Sequence, residues 1–200
     1  MKTDITVYAD TQNVCKTAVE KYGAIHVLVN CAGIGGPGKI IDKNGPYDIE
    51  KYRRMINVNV IGTFSMTGNA AFEMVKNEPD EEGERGVIIN IASVAAFDGQ
   101  IGQSTYASTK GAIVSMTLPI ARDLACDGVR ICTIAPGTFD TPLLARLPEN
   151  VRDALGKAVP FPSRMGKPIE CAVMAKTIVE IPYLNGETIR LDGAIRMPPR

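Results

Sequence analysis

A tyrosine and a lysine four residues apart, Tyr106 and Lys110, follow a serine, Ser93, and the three together can move a proton at an alcohol oxygen. Free tyrosine has a pKa of about 10 and is a poor base at neutral pH. A nearby ammonium stabilises the phenolate and lowers that pKa. Four-residue spacing sets both side chains on one face of a helix, so the lysine can supply the charge. Ser93 follows the apolar run Val87 to Ile91, where the strand ends of an α/β sheet form a ligand crevice. A hydroxyl there can hold a carbonyl or alcohol oxygen by hydrogen bond. The tyrosine–lysine pair alone also fits a solvated helix face. A serine thirteen residues earlier, with the small residues Ala107, Gly111 and Ala112 nearby, makes the set more specific. Ser93 is not in a G-x-S-x-G setting, which sets a serine hydrolase aside.

Positioning these residues requires alternating strands and helices. Thr11 to Tyr22 has helical spacing and ends at Gly23, a residue suited to a helix C-terminus. Ile25 to Val29 is a short apolar run that reads as a buried strand of a parallel sheet. Residues 33–45 are a Gly/Pro-rich loop. Asp48 to Val75 reads as a long helix interrupted by Gly62 and Gly68, and Lys76 to Gly86 as a charged loop. Val87 to Ile91 is a second strand. Ser104 to Leu124 is the helix bearing Tyr106 and Lys110, with a bend expected at Pro119. Arg130 to Ile134 is a third strand, closed by Pro136 and Gly137. Pro148 to Ala158 and Pro168 to Glu180 are shorter helices, and Glu187 to Leu191 is a last strand. The fold class is α/β, a doubly wound parallel sheet of Rossmann type, in one domain over residues 1–200.

Composition narrows the function classes. The chain has 200 residues, 45% of them apolar, and 22 basic against 22 acidic residues, a formal net charge of zero. Bulk charge therefore offers no nucleic-acid surface, and no direct nucleic-acid contact is expected. No apolar run reaches the roughly 18–20 residues of a membrane helix. The five cysteines, Cys15, Cys31, Cys126, Cys132 and Cys171, form no C-x-x-C pair and read as reduced thiols. The single histidine, His26, lies in an apolar run and reads as a core or edge residue; no metal site is expected. Met1 to Thr6 carry no targeting pattern.

The ordered motifs resemble the short-chain dehydrogenase/reductase family. Asn30-Cys31-Ala32-Gly33 is similar to the family's N-[AC]-A-G turn after the fourth strand. Asn59, in Asn57-Val58-Asn59-Val60-Ile61-Gly62, is similar to its active-site asparagine. Pro136-Gly137 with Thr141 matches the loop that holds the nicotinamide carboxamide, and Asp4-Ile5 the pair that contacts adenine. Runs such as VAAFDGQIGQ, VPFPSRMG and LNGETIRLDGAIRM also resemble a subgroup that oxidises 3-hydroxyacyl-CoA thioesters and tolerates alcohols and hydroxysteroids. The resemblance implies NAD as cofactor and Tyr106 as general base in oxidation. Lys110 would lower the tyrosine pKa and bind the nicotinamide ribose. Ser93 would hold the reacting oxygen, Gln103 would contact substrate, and Asn59 would order water behind Lys110. Cys31, Ala32 and Gly33 would line the adenosine side, with Phe139 and Thr141 over the nicotinamide. It further implies a homodimer or homotetramer, a mitochondrial address and a place in fatty-acid metabolism. From the residues themselves, Asn59 also fits a helix-packing polar residue, and Phe139 fits core as readily as lid.

The chain also departs from the family pattern. Members open with a strand, a T-G-x-x-x-G-x-G turn and a helix, whose backbone amides meet the pyrophosphate. A second strand follows, ending in the acidic residue that selects NAD. Neither is present in these residues, so the expectation is a domain lacking its first strands and pyrophosphate-binding turn. Gly33, Gly35, Gly36 and Gly38 do not replace that turn, because they follow N-C-A-G instead of opening a helix. The strand at Ile25 to Val29 would then be an exposed edge. Two readings stand: an NAD-dependent dehydrogenase, or a cofactor-less interaction subunit. Within the enzymes, a hydroxysteroid or 3-oxoacyl reductase is the alternative.

Overall fold

The computed structural model describes residues 1–142, 144 and 148–199. Four parallel strands form the main sheet in the order β1 (Val27–Asn30), β4 (Gly86–Ile91), β5 (Val129–Pro136), β6 (Thr188–Leu191). The short hairpin β2 (Ile41–Asp42) and β3 (Gly45–Pro46) lies apart from it, in the stretch expected to be loop. The two central strands are apolar and β-branched along their length because both of their faces are covered.

Alternation along the strands assigns each residue to a layer. Ile88, Val129 and Ile131 pack against Cys15 of α1 (Tyr8–Tyr22), Ala70, Ala71 and Met74 of α3 (Thr63–Met74), and Ile120 and Ala121 of α4 (Ser104–Asp123). Val87, Ile89, Cys132 and Ile134 turn the other way, onto Ile178 of α6 (Pro168–Glu180). A smaller helix, α5 (Glu149–Lys157), is capped by Pro148, the residue expected to begin it.

The first strand differs from its expectation as a buried element. Val27 and Val29 are paired in register with Val87 and Ile89, on the α6 side of the sheet, yet they are 43% and 42% exposed. Helix α6 packs on β4 and β5 and leaves that part of β1 uncovered. Among the described residues β1 pairs only with β4. His26, just before it, is exposed.

The long helix also differs in detail. Asp48 caps α2 (Ile49–Ile56) by accepting the amide of Glu50 at 2.9 Å. The helix then widens into a π-helical turn, Asn57–Gly62, and continues as α3 with no break at Gly62 or Gly68. Gly62 answers to packing: a side chain there would meet Ile5 at 2.7 Å. Helix α4 likewise runs through Pro119 without ending.

One buried cation ties the far end of the sheet together. Arg130 of β5 donates to both oxygens of Glu84, at 2.7 and 3.1 Å. Its remaining donors reach the carbonyls of Ile178 at 3.0 Å, Leu184 at 2.7 Å and Val179 at 3.2 Å. Those carbonyls belong to the last turn of α6 and just beyond, where a helix has unpaired acceptors and favours positive charge. Replacing one partner of a buried pair strands the other, so Arg130→Ala should lower unfolding free energy by about 3 kcal/mol. Urea denaturation monitored by circular dichroism would measure it, and a loss below 1 kcal/mol would refute the clamp.

Candidate active site

The C-terminal end of β4 delivers the serine. Two residues past the strand, Ser93 is extended and caps the short turn Val94–Ala96, its Oγ accepting the amide of Ala95 at 3.1 Å. Helix α4 then presents Tyr106 and Lys110 on one face. Lys110 is 7% exposed, and its ammonium donates to the carbonyl of Ile91 at 2.8 Å. Its Nζ lies 5.9 Å from the centre of the Tyr106 ring.

Asn59 joins this group from the π-helical turn. Its Oδ1 accepts the amide of Ile34 at 2.8 Å, while its Nδ2 donates to the Ile34 carbonyl at 2.8 Å and to Thr109 Oγ1 at 3.0 Å. Thr109 in turn donates to the Tyr106 carbonyl at 2.9 Å. One side-chain amide therefore holds residues 31–35 against the helix that carries the tyrosine. A Cβ at Gly33 would lie 3.6 Å from Lys110 Nζ, and one at Gly35 would lie 3.4 Å from the Tyr106 ring. A Cβ at either position would make ordinary van der Waals contact, so the backbone passes over both groups at normal packing distance. Below them, Asn30 Nδ2 donates to Asn90 Oδ1 at 2.8 Å and Thr67 Oγ1 at 3.1 Å, a buried polar cross-strand pair.

The electrostatics differ in one respect from the sequence argument. Burial raises the Tyr106 pKa above its ordinary value, and the Ser93 hydroxyl opposes that rise. Lys110 directs its charge at Ile91, and burial lowers its own pKa to about 8, the nearby Cys31 thiol pulling weakly the other way. Burial likewise raises the pKa of Cys31, against a smaller pull from the Lys110 charge.

The remaining expected residues fall in three places. Asp4 and Ile5 lie ahead of α1; Asp4 accepts the amide and hydroxyl of Thr6 at 2.9 and 2.8 Å, and Ile5 rests on Gly62, beside the turn that holds Asn59. Cys31, Ala32 and Gly33 are exposed above Lys110. Pro136 and Gly137 end β5 against β6, the Gly137 amide donating to Leu191 at 2.9 Å. The Phe139 ring is buried on Gly166, a packing position, and the Thr141 amide donates back to the Phe139 carbonyl. Gln103 opens α4, and its Oε1 accepts the Gln100 amide at 3.0 Å. A cleft of about 340 Å³ lies beside it, between residues 39–40 and residues 99–107. Thr109 and Ile34 were not singled out in the sequence. Thr109 carries one readable signal, a threonine three residues after the tyrosine, where it can bond back to the carbonyl.

A buried lysine with a lowered pKa costs stability while it is charged. Between about pH 8 and the unfolded value near 10.5 the unfolded chain binds more protons, so stability rises with pH there. Lys110→Met should therefore be more stable than the parent at pH 7, with the gap closing by pH 10. Urea melts at the two pH values decide this; a gap independent of pH would contradict it.

Comparison with known proteins agrees with this geometry. The family profile described as short chain dehydrogenase matches residues 1–152. The chain is 55% identical over 198 residues to "3-hydroxyacyl-CoA dehydrogenase type-2" of Bos taurus, covering 98% of this chain and 76% of that one. The crystal structure of 3-hydroxyacyl-CoA dehydrogenase type-2 from Mycobacterium avium superposes with a TM-score of 0.94 at 34% identity, over 100% of this chain and 78% of the other. A 7α-hydroxysteroid dehydrogenase complexed with NADH and 7-oxo glycochenodeoxycholic acid superposes with a TM-score of 0.86 at 27% identity, over 98% and 74%. A parallel sheet that brings Ser93, Tyr106 and Lys110 to one strand end thus stands beside a family match over three quarters of the chain, and the protein belongs to the short-chain dehydrogenase family.

Proposed function

We propose that the chain is the catalytic part of an NAD-dependent oxidoreductase that interconverts a 3-hydroxyacyl-CoA and its 3-oxo form, with hydroxysteroids and other alcohols as further substrates. The convergence of Ser93, Tyr106, Lys110 and Asn59 beneath residues 31–35 carries this reading. Ser93 Oγ and the Tyr106 hydroxyl would meet one substrate oxygen. In oxidation the deprotonated Tyr106 takes the proton of the substrate alcohol; in reduction its hydroxyl gives the proton back. The Lys110 ammonium, 5.9 Å from the centre of the Tyr106 ring, would favour the deprotonated phenol, while burial keeps the tyrosine pKa raised. All three polar contacts of the Asn59 side chain go to protein, so any water it orders sits at its main chain. The cleft between residues 39–40 and 99–107 would take the substrate's acyl end, with Gln103 at the start of α4 as a further contact.

The residues present fit one half of the nicotinamide cofactor. Gly33 and Gly35 supply a close, side-chain-free path above Lys110 and Tyr106. Cys31 and Ala32 lead from it towards Asp4 and Ile5, which would meet adenine. Pro136, Gly137, Phe139 and Thr141 would flank the nicotinamide carboxamide from the opposite side. When bound, the cofactor supplies the acceptor for the hydride that leaves the substrate carbon. The glycine-rich turn that would meet the pyrophosphate is not among residues 1–200.

A second reading rests on β1, whose exposed edge fits an interaction subunit. Assembly into a dimer or tetramer, residence in mitochondria and service in fatty-acid metabolism are extensions of the first reading.

Calorimetric titration with NADH, followed by assay of NADH formation from 3-hydroxybutyryl-CoA and from a hydroxysteroid, separates the readings. Turnover is expected with the thioester, and Tyr106→Phe should lower kcat by about 10³-fold with folding retained. No NADH binding by a folded chain at millimolar cofactor would favour the interaction subunit. A steroid preferred over the thioester would favour the hydroxysteroid alternative.

A further inference from the structure

The cleft between residues 39–40 and 99–107 is lined on one side by residues 99–102, and the segment 97–103 that holds them leads directly into the catalytic helix. Gly99 packs on that helix closely enough for a Cβ to meet Ala107 at 3.1 Å. On its inner side the wall is tied to the opposite rim, Gly38 donating its amide to the Gly102 carbonyl at 2.8 Å. Its outer side is held by something the catalytic reading does not use. Arg190, the third residue of β6, donates to Asp98 at 2.5 Å and sets its guanidinium 5.1 Å over the Phe97 ring. The same side chain donates to Asp192 at 2.8 Å and to the Ile195 carbonyl at 3.0 Å, and Ile195 is itself buried. Beyond it the chain returns along the wall. Gln100 Nε2 donates to the Pro198 carbonyl at 3.0 Å, and the Ile101 amide donates to the Pro199 carbonyl at 2.9 Å.

We infer that Arg190 and segment 193–199 form a strap that fixes residues 97–103, and so sets the substrate wall of the cleft. Arg190 touches neither the reacting atoms nor the cleft lining; it is a positioning residue. The planar guanidinium suits the task because its fork of donors meets three acceptors on two segments at once. Without it, Asp98 and Ile195 lose their common partner, and the outer side of the wall is held only by the bonds of Gln100 and Ile101 to the chain end. The substrate side of the inference rests on the dehydrogenase reading; the strap itself does not.

The test combines hydrogen exchange with ligand titration on the unaltered chain, on Arg190→Gln and on a variant without residues 197–200. Exchange in peptides covering 98–103 should be about tenfold faster in both variants, with β4 and β5 unchanged. Calorimetric binding of acetoacetyl-CoA should weaken about tenfold, and Asp98→Asn, which keeps an oxygen for Arg190, should stay within about threefold of the parent. Unchanged exchange at 98–103, faster exchange shared by β4 and β5, or a loosened wall with undiminished thioester binding would each overturn the proposal. If Arg190→Gln fails to fold, the shortened variant, which retains Arg190, decides. If the unaltered chain does not bind acetoacetyl-CoA, the dehydrogenase reading fails and the exchange comparison alone decides the strap.

Discussion

Lys110 places its ammonium on the carbonyl of Ile91, and this one contact demands that strand, turn and helix meet within a side chain's length. A buried cation without an acceptor is costly, so the position of α4 against the end of β4 is fixed by more than apolar packing. Ser93 is two residues past that carbonyl and Tyr106 one turn before the lysine. Whatever holds the lysine therefore also sets the serine–tyrosine approach. Asn59 completes the arrangement from the other side by holding residues 31–35 against the same helix.

Much of this was legible in the residue order. Strands β4 and β5 announce themselves as largely apolar, β-branched runs, and α6 begins and ends where the sequence puts it, with Pro168 in its first turn. Ser93, Tyr106 and Lys110 are readable because a spacing of four on a helix and a serine after a strand are local patterns. The π-helical turn was not readable. Gly62 looked like a break because glycine is a poor helix former, whereas its lack of a side chain answers to Ile5, distant in sequence. The Tyr106 pKa was misjudged for a related reason. Helical spacing shows that a lysine is near, but only the fold shows that its charge is aimed at a carbonyl and that burial dominates.

The two sides of the sheet contribute unequally. Helices α1, α3 and α4 form a broad layer that carries Asn59, Tyr106 and Lys110, while α6 covers the centre of the opposite face. Asn59, Tyr106 and Lys110 thus come from the better-packed side. The parts that would meet the rest of the cofactor are short connections: residues 31–35, the end of β5, and the segment ahead of α1. Rigid elements hold the chemistry, and loops shape what surrounds it.

The bond between Asn30 and Asn90 has a consequence for strand pairing. A strand hydrogen-bonded on one side only has its register set by that one pairing and by its buried face. A slip of one residue moves a strand about 3.3 Å and turns each side chain to the opposite face. For β1 that slip would separate Asn30 from Asn90 and Thr67, leaving buried amide groups unsatisfied, and would carry Leu28 out of its layer. The asparagine pair therefore acts as an index mark: it makes one alignment of β1 cheaper than its alternatives, and with it fixes the height at which the following glycines cross the lysine.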